Sequence, residues 1–166
     1  MLQGYLTKRA KCIQINFFID YFSQHLDIAW NLIVPLIKLA LPKEEGGSRT
    51  ELQRKVALKL VALIIKRTTK CVDTGIFEKA LGKYKKVSET VMEALNLKTW
   101  KKPVKYWQQY LVIFTSLTNT LTKNNVLNEM ESVTQIKSKV ESIIAEDPKA
   151  AGLKGKLKEL EKILKA

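Results

Sequence analysis

Apolar residues recur every three or four positions along almost the whole chain, and no convincing run of strict alternation interrupts them. Helices that bury one face produce that period, whereas a half-buried strand would make every second position apolar. The pattern predicts an all-α fold. A first helix fits about 6–25, where Ile13, Phe17, Phe18, Tyr21 and Phe22 form an aromatic stripe. A second fits about 27–41, with Asp27 as its cap and Trp30, Ile33, Val34, Ile37 and Leu41 on one side. Pro35 lacks an N–H inside that segment and predicts a kink or a tightened turn.

The clearest break in the first half runs from Pro42 to Gly47, and Ser48 with Glu51 then has the S-x-x-E form of a capping box. The third helix it opens should reach about Thr68 and bury Leu52, Val56, Leu60, Leu63 and Ile64. A fourth is expected over about 74–95 and a fifth from Pro103, a good first-turn residue, to about 122. The sixth should span about 126–145 and stop before Asp147-Pro148. The last fits about 152–164, where Leu153, Leu157, Leu160 and Leu164 repeat as a narrow seam.

Two architectures suit such a series: a closed six- to seven-helix bundle, or antiparallel hairpins stacked as a short HEAT/armadillo-like solenoid. Helices one, three and five recur at about the 40 to 47 residues of such a hairpin, although no motif repeats at a fixed period. The very apolar second helix suits stacking on both sides, so the solenoid is the preferred reading. Residues 1–146 would form the helical-repeat domain and 147–166 a basic amphipathic helix.

Charge changes the picture. There are 29 Lys and Arg against 16 Asp and Glu, a formal charge of +13, which calls for an acidic partner. Nucleic acid, an anionic membrane surface or an acidic protein tract would each serve. From Lys66 to Lys105 the basic residues outnumber the acids most heavily, and two clusters interleave lysine with an aromatic ring. In them Lys83, Lys85, Lys86, Lys98, Lys101, Lys102 and Lys105 are the candidate phosphate contacts, and Tyr84 or Trp100 the candidate stacking rings. The competing reading makes Trp100, Tyr106 and Trp107 core aromatics that anchor the loop between the fourth and fifth helices. In the last helix, Lys154, Lys156, Lys158, Lys162 and Lys165 surround the leucines, so Leu153, Leu157, Leu160 and Leu164 are candidates for docking a partner or for packing on the preceding helix.

Catalytic chemistry finds little to work with. His25 is the one histidine, at an expected helix end, and no nucleophile pairs with it by motif. Cys12 and Cys71 lack metal spacing and read as buried thiols of a reducing compartment. Glu44 to Thr50 lacks the phosphate-loop pattern, and the Glu129/Glu131 and Glu159/Glu161 pairs lie two apart on helices and do not face each other. The expectation is a soluble protein that is not an enzyme, with no cofactor, no metal and no small-molecule substrate. The first charges are followed by an amphipathic stretch rather than a signal-like apolar run, and the apolar run 28–41 is too short to span a bilayer.

The first third carries a more specific pattern. Lys8-Arg-Ala-Lys-Cys-Ile-Gln14 and Phe17-Phe-Ile-Asp20 are followed by Trp30-Asn-Leu-Ile33, then Ser48-Arg-Thr-Glu-Leu-Gln-Arg54 and Ala57-Leu-Lys-Leu60. This order resembles the C-terminal helical region of the Myb-binding protein 1A / DNA polymerase phi (polymerase V-like) family, over about 60 residues. The resemblance implies a fragment of a longer helical-repeat protein in the nucleolus of the nucleus. It also implies a part in ribosomal RNA transcription and early ribosome assembly, and no polymerase activity. Ribosomal RNA or pre-ribosomal nucleoprotein and other nucleolar proteins would be the partners. It supplies no catalytic residue to carry over. The alternative is a pure protein-interaction scaffold that docks an acidic or leucine-rich partner.

Overall fold

Most breaks in the apolar period become breaks between helices. The computed structural model describes residues 17, 20–22, 24–41, 51–97 and 103–166. Its helices are α1 (Leu26–Leu39), α2 (Glu51–Thr69), α3 (Thr74–Asn96), α4 (Pro103–Lys123), α5 (Glu131–Glu146) and α6 (Lys154–Lys165), with a 3-10 helix (Pro148–Leu153) before the last. No strand occurs among the described residues. The fold is all-α. Most of the first expected helix, the Ser48 capping box, Cys12 and the Lys98–Lys102 cluster fall outside the described residues.

Local chemistry explains most of the boundaries. Asp73 accepts from the Gly75 N–H at 2.9 Å and caps α3. Asp147 accepts from the Lys149 N–H at 2.9 Å, with Pro148 in the first turn of the 3-10 helix. Two expected starts move. His25, not Asp27, occupies the N-cap of α1 and makes no side-chain cap, while Asp27 sits in the first turn where a carboxylate complements the helix dipole. The sixth expected helix begins at Glu131 instead of Val126. After a turn with Asn125 at φ 55, the Glu129 carboxylate accepts from the Glu131 N–H at 2.8 Å and holds the new start. Helix α1 runs on through Pro35, which leaves the carbonyl of the exposed Asn31 without its helical donor but within reach of water.

The helices pair as three hairpins, α1/α2, α3/α4 and α5/α6, and the hairpins stack in order. Helices α1, α3 and α5 form one row; α2, α4 and α6 form the other. The middle hairpin is shared by both neighbours. This is the stacked arrangement expected, but its register is displaced by one helix. Third and fourth expected helices, joined only by Lys70 to Asp73, do not form a hairpin; that link crosses from one hairpin to the next.

One continuous core runs through the stack, from Trp30 and Ile33 through Phe114 and Leu117 to Val140, Leu153 and Leu160. Polar ties inside it are satisfied in pairs. The Trp30 indole N–H donates to Thr68 Oγ1 at 2.9 Å, and that hydroxyl donates to the Ile64 carbonyl, joining α1 to α2. The Tyr110 hydroxyl donates to the Ile37 carbonyl at 2.9 Å, joining the second hairpin to the first. The Gln108 amide donates to the Gly152 carbonyl at 3.0 Å, joining it to the third. Each buried polar group left unpaired would cost about 1–3 kcal/mol, so the buried Trp30 and Tyr110 bonds select this stacking over near alternatives, while the exposed Gln108 bond adds less.

The buried face of α2 also differs from expectation. Leu52 is 57% exposed, and Val56 and Leu63 are half-buried. The core takes Ala57, Leu58, Leu60, Val61, Ile64 and Ile65 instead, because α2 must meet both α1 and α4. Cys71 is a free, half-buried thiol at the core edge, not a buried one.

Candidate nucleic-acid interface

The lysines expected to meet phosphate divide into two groups. Lys98, Lys101 and Lys102, with Trp100, lie outside the described residues. Lys83, Lys85 and Lys86 stand on α3, half-buried, exposed and exposed, and Lys105 is exposed on α4. Tyr84 among them requires correction. Only 2% exposed, it stacks on Phe114 with ring centroids 5.7 Å apart, and its hydroxyl meets Thr118 Oγ1 at 2.9 Å. Thr118 gives its own hydrogen to the Phe114 carbonyl, so Tyr84 is the donor. A ring held this way has no free face for a base. Trp107 is likewise buried, donating its indole N–H to the Ala94 carbonyl at 3.0 Å, and Tyr106 is buried beside it.

Burial also governs the chemistry of the Tyr84 phenol. Desolvation pushes its pKa from 10.0 up to about 12, and nearby Glu129 raises it further. The fold holds the neutral phenol, so its contribution is complete below pH 10 and is lost as the pH climbs through 12. Two pKa units correspond to roughly 2–3 kcal/mol. Urea unfolding at pH 9 and pH 11.5 should therefore show a smaller alkaline loss in Tyr84→Phe than in the wild type. Equal losses would mean that Tyr84 does not carry the effect.

The C-terminal seam is occupied. Leu153 and Leu160 are fully buried, and Leu157 and Leu164 pack half-buried on the same core, with Ile163 beside them. Helix α6 lies against α5 and α4, so these leucines bind the chain's own helices and offer no free seam for a partner. Lys154, Lys158, Lys162 and Lys165 are exposed, and among the described residues the half-buried Lys156 pairs with Glu159 at 3.0 Å.

Counting charge by row rather than along the chain separates two unlike surfaces. The α1/α3/α5 row carries seven basic and seven acidic residues, whereas the α2/α4/α6 row carries twelve basic and three acidic. Helix α4 has no acid at all, and α2 has only Glu51. The α3 lysines look over the balanced row. A groove of about 410 Å³ between α3 and α5 sets Lys85 among Glu89, Glu129 and Glu131. A groove of about 420 Å³ between α2 and α4 has no acidic lining, with Lys66 and Lys123 on its rim. The first cancels phosphate attraction locally and the second concentrates it.

Lys59 and Lys123, which the sequence reading did not single out, and Lys66, where its basic stretch begins, stand on the basic row, all exposed. The available signal was the lack of acids from Leu52 to Arg67 and throughout α4. Among the described residues no three of His, Cys, Asp and Glu gather as a metal-binding set, and no helix is long and apolar enough to cross a membrane. His25 is exposed, its ring 4.5 Å from that of Tyr21. No family model, curated protein or solved structure matches the chain.

Proposed function

We propose that the chain is a non-enzymatic helical scaffold that binds RNA through the phosphate backbone, using the α2/α4/α6 row. The resemblance in its first third would place that role in the nucleolus, in ribosomal RNA synthesis or early ribosome assembly. One observation carries the RNA reading: the excess charge is segregated on one row of a two-row stack, with the opposite row balanced. A merely solubilising charge would have no reason to segregate. A backbone-binding surface needs lysines spread along one side with few acids between them.

Lysine-directed acylation of the free protein and of its complex with single-stranded RNA tests this directly. Lys59, Lys66, Lys123, Lys158 and Lys162 should lose reactivity on binding, while Lys83, Lys85 and Lys86 should keep it. Protection of the α3 lysines alone would move the interface to the opposite row. Unchanged reactivity throughout, at concentrations that should saturate the protein, would favour the protein scaffold.

A further inference from the structure

The α2–α4 groove has features that charge alone does not require. Its lining comes from the C-terminal halves of both helices, as expected for two helices running in the same direction in one row. Its apolar lining is aliphatic, Ala62 and Ile65 from α2 with Ile113 and the exposed Val112 from α4. Its polar lining is Thr69 from α2 with Ser116, Asn119 and Thr120 from α4, and Lys66 and Lys123 line the same groove. Val112 to Lys123 is three helical turns, about 16 Å of groove at 1.5 Å per residue.

The side chains are also available. Ser116 and Asn119 are exposed, and neither side chain has a hydrogen-bond partner among the described residues. Lys66 and Lys123 make no ion pair among them either. Asn119 offers a donor and an acceptor side by side, the pair that reads the edge of an unpaired base. An aliphatic lining accepts the flat face of a base, and the ammonium groups suit the adjoining phosphates. Stacked helical hairpins elsewhere read single-stranded RNA one base per repeat through two or three such side chains. Here the groove lies between the first two hairpins. A duplex keeps its base edges paired and could use only the lysines.

From this juxtaposition we infer that the α2–α4 groove is a subsite for one unpaired base of single-stranded RNA. Asn119 and Ser116 contact the base edge, and Lys66 and Lys123 contact the adjoining phosphates. This rests on the RNA reading above and deepens it. An acidic amphipathic helix would match the lysines and the apolar lining, but it would leave the paired donor and acceptor of Asn119 without a role.

Fluorescence anisotropy with 12-nucleotide oligoadenylate, oligocytidylate and oligouridylate, and with a 12-base-pair RNA stem, tests the subsite. Circular dichroism would confirm that each variant keeps its helices. At about 100 mM salt the wild type should bind its best single strand some tenfold more tightly than the stem. Lys66→Gln with Lys123→Gln should flatten the logarithmic salt slope by about 1.4, since each single-strand phosphate contact contributes about 0.7. Asn119→Ala should weaken the preferred homopolymer five- to tenfold, reduce the ranking among the three, and leave the salt slope alone. Equal affinity for stem and strand, or a silent Asn119→Ala, would overturn the subsite while the RNA reading stood. Wild-type protein that binds none of the four RNAs would overturn both. The same would follow if the groove lysines proved necessary only for an acidic helical peptide.

Discussion

Reversing Lys59, Lys66, Lys123, Lys158 and Lys162 to Glu should nearly abolish RNA binding, whereas reversing Lys83, Lys85 and Lys86 should weaken it only modestly. The first set lies on the row with twelve basic and three acidic residues, the second on the balanced row. If each of the five contacts one phosphate of a single strand, their loss flattens the logarithmic salt slope by about 3.5. Each reversal also places a repelling carboxylate where a counterion was released, so affinity near 100 mM salt should fall by roughly two to three orders of magnitude. The α3 reversals act mainly through the long-range field, which salt screens within about 10 Å at 0.1 M. Their effect should vanish by about 0.3 M. Titrations from 50 to 300 mM salt measure both. If the α3 variant lost the steeper slope, phosphate contacts would have to be reassigned to the opposite row.

Phe114→Ala should be the most damaging single truncation, costing about 3–5 kcal/mol. The ring is fully buried in α4 and stacks on Tyr84 of α3, within the hairpin that both outer hairpins lean on. Its removal leaves a void bounded by helices that cannot close in without loosening their other contacts. It also frees Tyr84 to shift away from Thr118. For a chain of this length the melting temperature should fall by about 10 °C or more. Trp30→Ala, in a hairpin that among the described residues packs on one neighbouring hairpin, should cost a comparable amount locally but broaden the transition, because a unit with one neighbour can open before the rest. Calorimetry of both variants compares them. A sharp transition for Trp30→Ala and a broadened one for Phe114→Ala would reverse the assignment of the central unit.

Helix positions were legible from sequence wherever a strong local signal coincided with the period. Thr74 and Pro103 open α3 and α4 where expected, because Asp73 and the proline ring act within a single turn. The start of α5 was obscured because Val126, Leu127 and Met130 continue an apolar spacing while Asn125 and the Glu129 carboxylate set the backbone. Hairpin register was out of reach, since a period says which face is buried but not which helix covers it. Tyr84 was misjudged despite a usable signal: Phe77, Ala80, Val87 and Val91 put it on one buried stripe of α3. The surroundings of Lys85 were hidden from sequence for a different reason. Glu129 and Glu131, which line the same groove, come from more than 40 residues downstream.

Stacking by nearest neighbours also bears on how the chain is made. Among the described residues, helices α1 and α2 make no substantial packing contact with α5 or α6, so the first of the three hairpins need not wait for the last to leave the ribosome. Its exposed apolar surface is covered once α3 and α4 emerge, and theirs once the next hairpin follows. Synthesis at about 5–20 residues per second delivers each helix far more slowly than a helix forms. The order of translation and the order of burial therefore coincide, and little apolar surface stands open for long beside the basic row.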